Sequence, residues 1–208
     1  MYYMLEIGTN VIHVENIPEY YDKILSYVRG SGDTVTARDH QTIEVTNLTV
    51  ISADPTTNRI WDKDDSRRSA LESEIRTVKQ GVQPEFIANQ KLDEKLDLDD
   101  GVFYEDIIRK RISEDWHEWK QLLRDDKHTR KAVSLFGSNP DSPCTSRVQW
   151  MIRDGELHCF TYNRSQDMEF AFPMDVGLFE EYQCQLADEL DVPVGRHEHV
   201  MTSAHIYL

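Results

Sequence analysis

Hydrophobic positions along this chain fall into strand-like and helix-like patterns that alternate between Met4 and Leu208. Met4 to Val14 is apolar-rich and reads as a strand or strand-like start. Ile17-Pro18 then opens a helix, because a first-turn N–H has no intrahelical acceptor and proline is tolerated there. Tyr21, Ile24, Leu25 and Val28 follow helical spacing, and Gly30 is placed to end the helix. Thr42 to Ser52 is rich in Ile, Val and Thr and reads as a strand. Its alternation changes phase between Val45 and Leu48, which predicts a bulge. Arg67 to Gln80 predicts a helix with Leu71, Ile75 and Val78 on one face and Gly81 after it. Lys91 to Asp100 is charged and reads as a loop or short helix.

A long helix follows from Tyr104, with Ile108, Ile112, Trp116, Trp119 and Leu123 on a stripe, and core packing is the ordinary use of such a stripe. Lys131 to Phe136 predicts a buried strand. Arg147 to Ile152 and Leu157 to Tyr162 predict a hairpin turning at Asp154-Gly155. Val176 to Leu190 predicts a helix with Phe179, Tyr182, Leu186 and Leu190 inward. His199 to Leu208 reads as a closing strand. No internal repeat, low-complexity tract or linker interrupts the series, so residues 1–208 are expected to form one α+β domain.

Composition sharpens this picture. The 208 residues are 39% hydrophobic and 10% aromatic, enough for a sizeable core. No apolar run is long enough for a bilayer. The segment Met1 to Glu6 has neither a basic n-region nor an extended apolar stretch, so no secretory signal is read. The 38 acidic against 23 basic residues give a net charge of −15. That excludes nonspecific binding to nucleic acid or an anionic membrane by the molecule as a whole. The acidic excess suits a high-salt cytoplasm and an ordinary acidic protein equally. Three cysteines, Cys144, Cys159 and Cys184, are an odd count without framework spacing, which points to reduced thiols in a cytoplasm, a host's if the chain is viral. A buried small hydrophobe is the common use of a lone cysteine, and it is the reading taken for Cys159 and Cys184.

Cys144 has more informative neighbours. It lies in Ser142-Pro143-Cys144, followed downstream by Asn163-Arg164-Ser165-Gln166-Asp167, by Phe172-Pro173-Met174-Asp175 and by His205-Ile206-Tyr207. This ordered set resembles the thymidylate synthase family, which includes the pyrimidine nucleotide hydroxymethylases. The resemblance covers most of the chain and is strongest from Arg130 onward. It implies a mixed β-sheet packed with helices, with one sheet face forming a homodimer interface. Pro143-Cys144-Thr145-Ser146-Arg147-Val148-Gln149 resembles the family's nucleophile motif Pro-Cys-His-x-x-x-Gln. The resemblance makes Cys144 the nucleophile and Gln149 a substrate ligand. It implies phosphate contacts from Arg38, Arg164 and Ser165, and from Arg130 and Lys131 reaching across to the neighbouring subunit. Asp167 matches the carboxylate on the pterin side, and His205 and Tyr207 match ligands of the sugar hydroxyl. Glu74, seven residues before Gly81, and Tyr104, in Gly101-Val102-Phe103-Tyr104, match groups that move protons, Glu74 also beside the folate. The co-substrate implied is 5,10-methylenetetrahydrofolate, and no metal is implied.

The chemistry asked of such a cysteine is covalent catalysis. A thiolate adding to carbon 6 of a pyrimidine makes carbon 5 nucleophilic toward a one-carbon electrophile. Nearby positive charge favours the thiolate, and Arg164 and Arg147 are candidates to supply it. Where thymidylate synthases carry a base-reading Asn, this chain has Asp175. An Asn amide both donates and accepts, as uracil requires; an ionised carboxylate only accepts. The cytosine-specific hydroxymethylases carry Asp there, which implies dCMP, or CMP, as substrate. Thr145 stands where the family has His. Leu92 and Lys95 stand where synthases have two tryptophans, and the sequence ends at Leu208 without the tail that closes over folate in bacterial members. A wetter pocket favours capture of the exocyclic methylene by water. The expectation is therefore a dCMP hydroxymethylase. The alternatives are a thymidylate synthase acting on dUMP and a weakly catalytic nucleotide-binding or scaffold relative.

Overall fold

The computed structural model describes residues 6–7, 10–37, 39–56, 69, 72, 102–137 and 142–208. The apolar-rich N-terminal segment folds back on itself rather than forming one strand. Asn10 adopts the left-handed region at φ 58°, so β1 (Glu6–Ile7) and β2 (Val11–Val14) form an antiparallel pair. Helix α1 (Ile17–Ser31) begins as expected, with the Asn16 side chain accepting from the Glu19 N–H at 3.0 Å. It runs past Gly30 and stops before Gly32. A Cβ at Gly32 would lie 2.6 Å from Ile43 Cγ2, so the glycine is needed for this close approach to the next strand, not for a left-handed turn.

β3 (Asp33–Ala37) and β4 (His40–Ser52) form a hairpin. β4 pairs antiparallel with the last strand, β9 (Val194–Tyr207), and the ladder keeps one register from Thr42↔Tyr207 to Ser52↔His197. The phase change read at Val45 to Leu48 is real, but it is not a one-sided bulge. Asn47 takes φ 56°. Both strands switch their buried face at this level, from the pair Val45↔Ala204 to the pair Leu48↔Met201, so no residue is left over.

Helix α2 (Val102–Asp125) carries the tryptophan stripe. β5 (Val133–Leu135), β6 (Thr145–Arg153) and β7 (Glu156–Asn163) follow, with the β6–β7 turn at Asp154-Gly155, both at positive φ. After the short β8 (Gln166–Asp167), helix α3 spans Ala171–Leu190. It starts five residues before the expected Val176, because Pro173 falls in the first turn, where its missing N–H costs no bond. The predicted helix Arg67–Gln80 lies outside the described residues apart from Ser69 and Glu72, both helical. The Lys91–Asp100 segment also lies outside them.

The strands form one mixed sheet in the order β1-β2-β4-β9-β7-β6-β5, with β3 on β4 and β8 on β9. The fold is α+β, as expected. One core cluster joins Ile108, Ile112, Trp116, Trp119 and Leu123 of α2 to Val148, Trp150 and Ile152 of β6 and to Phe179, Tyr182 and Leu186 of α3. A second joins α1, β2, β4 and β9 to Phe172 and Val176 at the start of α3. Helix α3 therefore ties the clusters together, and it fixes the segment that carries Asp175. Ile51, Gln149, Met151, Tyr162 and Val200 join neither cluster. Strand alternation puts Gln149, Met151 and Tyr162 on the face opposite Val148, Trp150 and Cys159. Among the described residues, no helix is long and apolar enough to cross a membrane.

Candidate active site

Sheet topology gathers the quoted motifs at one end of three neighbouring strands. β6 begins just after Cys144, and β7 ends at Asn163, opposite Thr145. β7 and β9 are parallel, so the end of β9 lies at the same side. β8 then extends the sheet there, pairing Gln166 with Ala204 and Asp167 with His205. Cys144, Arg164, Ser165, Asp167, His205 and Tyr207, far apart in sequence, thus share one rim.

Cys144 is half-buried and forms no disulfide. Its carbonyl accepts from the Arg164 N–H at 2.9 Å, and the Arg164 guanidinium donates to the Ser142 carbonyl at 3.2 Å. Arg164 is therefore held against the cysteine-bearing segment from both its backbone and its side chain. Arg147, the other cation suggested for Cys144, sits 3.6 Å over the Tyr162 ring. Thr145 is buried, at 2% exposure, where the family has His. Ser165 Oγ and His205 Nδ1 are 3.5 Å apart, and the His205 ring meets Tyr207 edge-on at 5.1 Å. Asp167 Oδ1 accepts from the N–H groups of Glu169 and Phe170, both at 3.0 Å, and so fixes the entry to α3.

Asp175 lies in the opening turns of α3 and is partly exposed, yet its carboxyl is surrounded by protein. Burial raises it from 3.8 to about 6, against the opposing effect of Gln166, whose Nε2 donates to Oδ2 at 2.9 Å. Gln166 is 1% exposed, and its Oε1 has no hydrogen-bond partner among the described residues. This pairing has a consequence for stability. Below pH ~4 the carboxyl is neutral in folded and unfolded chains alike; between pH ~4 and 6 the unfolded chain ionises first, and the folded state loses stability. The full shift corresponds to about 3 kcal/mol, and partial exposure reduces the expected loss to about 1–2 kcal/mol. Asp175→Asn should therefore stabilise the protein by about that amount above pH ~6.5 and by nothing below pH ~4. Urea unfolding across this range checks it; a constant offset at all pH values would show that ionisation is not the cause.

Other expected ligands lie elsewhere. Gln149 is five residues along β6 from Cys144, about 17 Å for an extended strand. Its amide donates to the Arg130 carbonyl at 3.0 Å. Arg130 and Lys131 are exposed at that same distant end, just before β5. Within one chain these three do not meet the Cys144 rim. Arg38 and Glu74 lie outside the described residues, as do Leu92 and Lys95; Tyr104 is on α2, but its side chain is not described. The sequence reading did not single out Gln166. Its signal was available: it occupies the strand position next to Asp167 and precedes Asp175 by nine residues. Asn163, 3% exposed beside Thr145 with neither amide atom hydrogen-bonded among the described residues, was also passed over.

Comparison with known proteins bears on the same region. Residues 115–208 match the sequence model of thymidylate synthase. A putative thymidylate synthase of Methanosarcina barkeri is 25% identical over 97% of this chain and 91% of its own length. The thymidylate synthase of Listeria monocytogenes serotype 4a is 26% identical over 113 residues, 44% of this chain and 36% of that enzyme. The bifunctional dihydrofolate reductase-thymidylate synthase 1 of Arabidopsis thaliana is 35% identical over 65 residues, 31% of this chain and 12% of that protein. The chain thus spans about a third of the length of the Listeria relative it matches.

Proposed function

We infer from the match of residues 115–208 to the thymidylate synthase family model that this chain transfers a one-carbon unit from 5,10-methylenetetrahydrofolate to carbon 5 of a pyrimidine nucleotide. Within that class we propose hydroxymethylation of dCMP, or of CMP. The observation that carries the choice is Asp175, a carboxyl held by Gln166 and raised to about 6. With Oδ2 accepting from Gln166, a proton on the carboxyl resides on Oδ1. Cytosine has a basic ring nitrogen to share that proton and an amino group to donate to a carboxylate oxygen or to Gln166 Oε1. Uracil has no comparably basic atom there, so it is bound well only by the neutral acid.

In this mechanism Cys144 adds to carbon 6, and carbon 5 attacks the one-carbon unit of the folate. Release of tetrahydrofolate leaves an exocyclic methylene, water adds to it, and Cys144 departs. Arg164 favours the thiolate and, with Ser165, receives the phosphate. His205 and Tyr207 bind the sugar. Asp167 has one oxygen fixed by two amides, and among the described residues no hydrogen bond goes to its Oδ2, which suits a role in accepting from the pterin. Glu74 and Tyr104 move protons at carbon 5. Arg130, Lys131 and Gln149 serve a second copy of the chain. Their distance from Cys144 along β6, and the sheet face with Met151 and Tyr162 that joins neither core cluster, support a homodimer. The odd count of three cysteines without framework spacing fits reduced thiols and a cytoplasmic location.

The test supplies dCMP, CMP and dUMP, each tritiated at carbon 5, with methylenetetrahydrofolate. Tritium release from a cytidylate, a product heavier by a hydroxymethyl group and regenerated tetrahydrofolate are expected. Release from dUMP alone with formation of dihydrofolate would replace this reading with thymidylate synthesis. No folate-dependent release from any of the three would leave a nucleotide-binding or scaffold role.

A further inference from the structure

The second feature of β9 is buried, polar and unused by the site above. His197 and His199 are both fully buried, two residues apart on the strand, and so face the same way. Glu180, 1% exposed on α3, faces them. One ligand atom from each of these three residues lies within 4.8 Å of the others. Neither ring nitrogen of His197 has a hydrogen-bond partner among the described residues, and the same holds for His199 Nε2. Two stacked imidazoles, with centroids 3.8 Å apart, thus leave three nitrogens without a partner among the described residues. Such groups cost free energy unless something binds them.

We propose that Glu180, His197 and His199 form a structural site for a divalent first-row metal ion, zinc in the first instance. Two imidazoles and one carboxylate are a donor set that suits this ion, with a water completing four-coordination. Burial holds both imidazoles in the neutral form that a metal requires. His199 is already oriented: its Nδ1 contacts Thr161 Oγ1 at 3.1 Å, which leaves Nε2 for the metal, as outer-shell partners of ligating histidines do. Metal bonds of ~2.0–2.2 Å would draw the donors to about 3.3 Å from one another, which requires the stacked imidazoles of His197 and His199 to open toward the ion as well as a movement of the Glu180 side chain. The site would pin α3 to β9 below the active rim. The His199 ring meets Phe172 edge-on at 5.4 Å, and Phe172 lies three residues before Asp175.

The sequence signal was His197-Glu198-His199, an alternating pair on a strand, but a pair of ligands is not a site until α3 brings Glu180. The experiment uses the full chain without an affinity tag, measuring metal content by mass spectrometry and thermal midpoint with and without zinc. About one equivalent of zinc or another first-row divalent ion should survive gel filtration. Chelator-stripped protein should gain about 5–10 °C in midpoint at a zinc excess of ~100-fold over Kd. Glu180→Gln and His197→Gln should each lower the metal content at least about tenfold, whereas the exposed His117→Ala should retain it. If a variant does not fold, cobalt(II) titration of the stripped wild-type chain still decides, since a four-coordinate site gives intense visible absorption. Wild-type protein that holds no metal and shows the same midpoint with zinc would overturn the proposal, as would folded variants that bind like wild type.

Discussion

Cys144→Ala is expected to abolish folate-dependent tritium release from carbon 5, by about 10⁴-fold or more, while nucleotide affinity changes by less than about tenfold. The difference follows from what the cysteine is asked to do. In the proposed reading, phosphate and sugar are held by Arg164, Ser165, His205 and Tyr207, none of which depends on the thiol. Carbon 5 becomes nucleophilic only once a thiolate has added to carbon 6, so the chemical step has no substitute route. The replacement should also be mild for the fold. Cys144 is half-buried and lies ahead of β6, and the Arg164 N–H bonds its backbone carbonyl, which alanine retains. Equilibrium dialysis with labelled nucleotide and circular dichroism separate loss of chemistry from loss of structure. A folded Cys144→Ala protein that still releases tritium at more than a tenth of the wild-type rate would remove Cys144 from the mechanism, and the covalent scheme with it.

Much of the fold was legible because its elements are strongly patterned. The α2 stripe from Ile108 to Leu123 is buried throughout, and the hairpin at Asp154-Gly155 turns where its residues require. The misreadings share a cause: local punctuation was decided by tertiary contact. Gly30 has nothing within 4 Å of a Cβ built on it, whereas Gly32 is crowded by Ile43, so the helix ends at the glycine that packing needs. The helix expected from Val176 starts earlier, with Pro173 as a first-turn residue of α3. The Val45–Leu48 phase change was visible in one strand, but its match in β9 depends on a pairing more than 150 residues away in sequence. For the site, residue types revealed the rim around Cys144 only through the family resemblance. The sheet supplied the physical reason, since β6, β7 and β9 bring their motif-bearing ends together. Gln166 stayed hidden because its importance lies in a side-chain bond to Asp175.

That bond makes Asp175→Asn the substitution with the most specific outcome. In the wild-type chain, Gln166 donates to Oδ2, which in the proposed reading leaves Oδ1 for the base, ionised above pH ~6 and protonated below. An asparagine must keep its own oxygen toward the Gln166 donor, so its NH₂ turns to the base. A donor there meets the carbonyl of uracil well and opposes the amino group of cytosine. Each mismatched buried polar contact costs about 1–3 kcal/mol. The ratio of kcat/KM for dCMP over dUMP is therefore expected to fall about 10²–10⁴-fold in Asp175→Asn. The wild-type ratio should itself depend on pH. Productive binding of uracil needs the neutral acid, whose population falls as pH rises through about 6. Cytosine shares the proton with its ring nitrogen and holds it to higher pH. Discrimination should thus widen from pH 5.5 to 8 by up to about 10²-fold, following the fraction of ionised carboxyl, and should be flat in Asp175→Asn. Steady-state rates with both nucleotides at each pH measure this. An unchanged preference in Asp175→Asn would show that Asp175 does not read the base, and a pH-independent wild-type ratio would show that its proton is not the discriminating element.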